Sequence, residues 1–136
     1  MRTKLVVMVV SAGLLLAIVP AWAHHAFAAE FDANKPLKLR GTVTKMDWVN
    51  PHAWVHLDVK NADGSVTSWM VEGGSPNALL RRGFNKNSLL PGTEISVEAF
   101  QAKDGTNRAN GKTITLTDGK KLFLGSSGES AAEPDK

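Results

Sequence analysis

Along most of the chain apolar and polar side chains alternate in short runs separated by Gly, Pro, Asn and Asp, and this period of two predicts strands rather than helices. Leu37 to Trp48 is the first run, with Gly41 in its middle, where a bulge or sharp bend is tolerated. Asn50-Pro51 breaks it, and Ala53 to Lys60 follows with Val55, Leu57 and Val59 on one face and Trp54, His56 and Asp58 on the other. Asn61 to Ser65 is a turn cluster, so Val66 to Glu72 returns as a third strand in a hairpin with a loop of five residues. The period then changes. Ser75 as N-cap, Pro76 at the first helical position, Arg81 and Arg82 in the last turn and Gly83 as terminator predict one short helix from Pro76 to Arg82. Beyond the Pro91-Gly92 turn, Glu94 to Ala102 reads as a fourth strand, Asp104 to Gly111 as a polar loop, Lys112 to Leu116 as a fifth strand and Lys121 to Leu124 as a short sixth.

Three strands, a helix and two further strands, with a bent first strand, predict an all-β fold of the OB type, a small five-stranded barrel with its helix between the third and fourth strands. Leu79, Leu80 and Phe84 are the expected plug of the barrel, and Trp48 an expected core residue. A β-sandwich is the rival architecture. The barrel domain is expected to run from residue 24 to 124, and the Gly-, Ser-, Ala- and Glu-rich residues 125–136 read as a disordered tail.

The first 23 residues read as a secretory signal peptide: Arg2 and Lys4 form a basic start, Leu5 to Val19 an apolar core, and Ala21-Trp22-Ala23 a small-x-small cleavage pattern. The 15 apolar residues from Leu5 to Val19 fall short of the roughly 20 needed to span a bilayer, and Pro20 ends the run, so no membrane association is expected after cleavage. Of 136 residues, 16 are basic and 13 acidic; losing Arg2 and Lys4 leaves 14 against 13. Such a near-neutral domain lacks the electrostatic footprint of a nucleic-acid binder. There is no cysteine, which removes disulfides and thiol chemistry.

The stretches HHAFAAEFD (24–32), WVNPHAW (48–54), EGGSPNALLRRGF (72–84) and AKDGTNRAN (102–110) resemble a family of small exported proteins from Gram-negative bacteria, classed only as a domain of unknown function. The resemblance implies a periplasmic or secreted location and no particular activity. More loosely, barrel order and compartment look like the bacterial periplasmic OB-fold proteins, some of which carry copper or silver.

Trp48, His52 and Trp54 crowd one chain reversal, which suits ligand contact as well as a rigid turn built on Pro51. After signal cleavage, His24 and His25 would join the freed α-amine as nitrogen ligands favoured by Cu(II). Phe27 and Phe31, four apart, read as a hydrophobic clamp docking this segment onto the barrel. Arg81 and Arg82 read as solvated cations answering the helix dipole. Glu30, Asp32, Asp47, Asp58 and Glu72 form no recognisable acid/base couple, and there is no nucleophile elbow, phosphate loop or HExxH.

If the five-residue turn sets Leu57 opposite Trp69 in the core, His56 falls opposite Met70 and Trp54 opposite Glu72 on the outside. Imidazole and thioether together suit Cu(I). The arrangement looks like the periplasmic copper and silver carriers, with one Met where those offer two. His52 lies four residues from His56, about 13 Å at roughly 3.3 Å per residue, too far to share an ion from the same strand. The expected function is therefore an exported, non-catalytic binding or accessory module for a small ligand or a protein partner, using Trp54, His52, His56 and Met70. The alternative is a copper carrier using His56 and Met70 or His24 and His25.

Overall fold

The computed structural model describes residues 27–125. The expected signal peptide, His24 and His25, and nearly all of the expected tail lie outside those residues. Six strands run in the order β1 (Phe31–Asp47), β2 (Trp54–Lys60), β3 (Val66–Glu72), β4 (Glu94–Ala102), β5 (Arg108–Leu116) and β6 (Lys121–Phe123), and helix α1 (Pro76–Arg81) stands between β3 and β4. The sheet runs β3-β2-β1-β4-β5-β6 and is closed by a further β3–β5 pairing, so the first five strands form a ring. Every pairing is antiparallel except β3–β5, in which Met70, Val71 and Glu72 run parallel to Arg108, Ala109 and Asn110. This is the OB-like barrel order that the alternation predicts.

One strand serves both halves of the ring. The first part of β1 pairs with β4 from Pro36 to Thr42, and its last part pairs with β2 from Thr42 to Asp47. Gly41 lies at this changeover, where a Cβ would stand 2.3 Å from the Asp58 carbonyl oxygen and 2.9 Å from Leu57 Cδ1. The residue is small because another backbone passes against it, whereas the register shift that bends the strand falls later, between Val43 and Lys45. The strand also begins earlier than the alternation suggests, at Phe31 rather than Leu37.

Inward-facing Val43, Val55, Leu57, Val71, Ile95, Val97 and Ile114 fill the barrel. Helix α1 closes its mouth. Ser75 caps it by accepting from the Ala78 N–H at 3.3 Å, and beyond it Gly83 takes φ 79°, a left-handed conformation that glycine adopts without strain. Leu79 and Phe84 are buried plugs as expected, and Trp48 stacks on Phe84 at 6.2 Å between ring centroids. Leu80 is not a plug. It is 52% exposed, because on a helix of six residues successive side chains point about 100° apart and only one of two adjacent leucines can enter the barrel. Arg82 is likewise more than a solvated cation, since its Nη1 donates to the Gly125 carbonyl at 2.8 Å and ties the helix to the end of β6.

The Phe27–Phe31 clamp forms. Residues 27–30 are helical, Phe31 is buried, and Phe27 lies 5.9 Å from Phe31 and 5.8 Å, edge-on, from Phe100.

Candidate functional site

The five-residue turn sets the β2–β3 register. Asn61 N–H donates to the Ser65 carbonyl at 2.8 Å, and Leu57 then falls opposite Trp69, His56 opposite Met70 and Trp54 opposite Glu72. Pleating sends His52, Trp54, His56 and Asp58 outward in a row, all of them half-buried, while Ala53, Val55 and Leu57 go inward.

A neighbouring strand holds each outward group. His52 Nδ1 lies 2.5 Å from Glu72 Oε1 at the end of β3, and His56 Nε2 lies 2.8 Å from Asp47 Oδ2 at the end of β1. Between them, the Arg108 guanidinium at the start of β5 lies 5.2 Å over the Trp54 ring, in cation–π range. Arg108 Nη2 also donates to Glu30 Oε2 at 3.4 Å. The Asn50–Pro51 peptide just before His52 is cis.

The two carboxylates have opposite electrostatic settings. Glu72 is only 7% exposed, and burial pushes its carboxyl above the ordinary carboxylate range; His52 and Arg108 oppose that push while Glu30 adds to it. Asp47 is held below the ordinary range, first by its contact with the Lys45 ammonium at 2.9 Å and then by His56.

An imidazole fixed through one ring nitrogen presents the other in a set direction, which suits hydrogen bonding, proton exchange or metal ligation. No hydroxyl among the described residues is hydrogen-bonded to either ring. Met70, 36% exposed, faces His56, so a nitrogen and a sulfur donor are neighbours across the hairpin. Among the described residues no three His, Asp or Glu side chains are grouped to hold a metal ion.

Of the residues picked out from the sequence, Trp54, His52, His56 and Met70 therefore share one face, with Trp54 between the two imidazoles. Sequence reasoning missed Glu30, Asp47 and Arg108 as members of this face. Glu72 was placed on it, opposite Trp54, but not recognised as the partner of His52. For Arg108 there was no local signal, since it lies in the polar segment that reads as a loop, and strand β5 in fact starts there.

No curated protein and no solved structure matches the chain. A model of a family of unknown function, DUF6152, matches residues 12–112, and with most of its length covered the chain belongs to that family.

Proposed function

We propose that this chain is an exported, periplasmic binding module without a catalytic role, and that it takes a small ligand or a protein segment on the outer face of β2, β3 and the start of β5. One observation carries the reading: Trp54 stands between two imidazoles, each pinned by a carboxylate from a different strand, with a guanidinium laid on its ring. Holding four side chains in fixed directions on an outer surface costs conformational entropy that the core does not need, and a pre-oriented polar and aromatic face is what binding rewards. Export is supported by the basic start, apolar run and Ala21-Trp22-Ala23 pattern, and a Gram-negative source by the resemblance of the HHAFAAEFD and WVNPHAW stretches. Intact-mass measurement of the periplasmic protein tests export, and a mass retaining Leu5 to Val19 refutes it. A fragment screen read by amide and indole NMR shifts tests the face. Shifts centred on His52, Trp54 and Arg108 are expected, and hits clustering elsewhere overturn the reading.

A second reading, copper carriage, is favoured by the pairing of His56 with Met70. With Asp47 on Nε2, the ring would bind Cu(I) through Nδ1 beside the Met70 thioether. A Cu(I) competition titration of wild type against His56→Ala and Met70→Ala tests it, and equal weak binding by all three ends it.

A further inference from the structure

Arg108 opens β5 and faces Met70 across the parallel seam. Its guanidinium rests on the Trp54 ring and reaches the Glu30 carboxylate at 3.4 Å. Two properties separate this ion pair from the others on the face. It is loose: charge-assisted N–H···O bonds usually measure about 2.7–2.9 Å, and the Asp47 contacts, at 2.8 and 2.9 Å, fall in that range. It is also dispensable to its own segment, which is anchored by Phe27 on Phe31 and Phe100 and by the Lys103 N–H donating to the Glu30 backbone carbonyl at 2.9 Å. Side chains 39% and 56% exposed meet here, and the carboxylate is delivered by a segment held in place for other reasons.

A guanidinium held over an indole by cation–π attraction gives up side-chain freedom in advance, and its fork matches a carboxylate. We propose that Trp54 and Arg108 form a carboxylate-binding subsite in which Glu30 is the built-in occupant, so that the ligand of this face carries a carboxylate that displaces Glu30. The inference rests on the binding-face reading above.

Displacement is easy. An exposed ion pair is favoured over its open state by at most about five-fold, and an internal competitor raises the apparent dissociation constant by a similar factor. The test is a titration of the 15N-labelled full mature chain with sodium benzoate at constant ionic strength, followed at the Trp54 indole and Arg108 side-chain N–H resonances. Benzamide serves as the neutral isostere, and a short peptide with a free C-terminal carboxylate, compared with its amide, as the second source of the same group. Saturable shifts with benzoate or the free-carboxylate peptide are expected, whichever binds tighter naming the source. Glu30→Gln should tighten binding about two- to five-fold, and Arg108→Met should abolish it. Glu94→Gln removes the same charge near the far end of β5, about 26 Å along the strand from Arg108 at 3.3 Å per residue, and should change nothing. Binding retained by Arg108→Met, or tightening by Glu30→Gln no greater than by Glu94→Gln, overturns the proposal. If benzamide moves the Trp54 resonance and no carboxylate does, the carboxylate inference falls while the binding face stands. If nothing moves it, both fall.

Discussion

The two imidazoles of the β2 row have the same kind of partner in different surroundings. His52 meets Glu72, a carboxylate sunk at the closing seam of the barrel, whereas His56 meets Asp47, a carboxylate at a strand end that also has Lys45 beside it. The pairs look alike as contacts and differ as energetics. At the seam, burial opposes the charge that makes the contact; at the strand end, neighbouring cations favour it. A carboxylate–imidazole pair thus reports little about stability until its solvent access is known.

The largest contrast is expected from truncation. Glu72→Ala should cost about 1–3 kcal/mol, because it removes a buried acceptor and leaves a hole at the seam. Asp47→Ala should cost about 0–1 kcal/mol, as exposed pairs do. Urea unfolding measures both, and equal losses would break the comparison.

A smaller contrast lies in pH dependence. The Asp47 carboxyl is depressed in the folded state, so its contribution is present above the unfolded value and is lost as pH falls through the folded one. The Glu72 carboxyl is raised, so the folded state binds its proton more tightly than the unfolded state does. Stability therefore falls as pH rises from the ordinary carboxylate value through the raised one. As pH falls below the ordinary carboxylate value of about 4, Asp47→Asn should flatten the acid loss, and as pH rises above it, Glu72→Gln should remove a decline. Urea midpoints on both sides of that value decide it, and parallel profiles for the two variants would contradict the assignment.

The smallest effect is on salt. Near 1 M salt the screening length is about 3 Å, so the stability difference between Asp47→Asn and wild type should shrink towards zero while that of Glu72→Gln persists. Equal sensitivity would mean that water reaches both pairs alike.

What could be read in advance follows the range of the interactions involved. The β2–β3 hairpin was legible to the residue because one five-residue turn sets its register, and α1 was legible because Ser75, Pro76 and Gly83 are local signals. The start of β5 was not. Arg108 and Asn110 look like loop residues, and they are held extended by a parallel pairing with β3, more than 30 residues earlier in the chain. Leu79 and Leu80 are chemically equal, and only the position of the barrel mouth decides which is buried. Asp47 reaches His56 diagonally, two residues along β2 from its own partner Trp54, in a register set by a shift between Val43 and Lys45 that no alternation pattern announces.

The ring is joined unevenly. β1 and β4 share a ladder from Pro36 to Thr42, but β3 meets β5 through only three residues of each strand. Immediately beyond, that same side of β5 passes to β6, with Leu124 wedged against Gly73 and Gly111, where a Cβ would stand 2.6 Å and 2.4 Å from its methyl groups. Strand β6 thus acts as a latch, and the joint it guards is where the barrel is expected to breathe first, so that amides of 70–72 and 108–110 exchange with deuterium ahead of those in the β1–β4 ladder. Trp54 and Glu72 stand on one lip of this joint and Arg108 on the other. A molecule gripping both lips would hold the latch shut and slow that exchange, converting occupancy of the surface into cohesion of the ring.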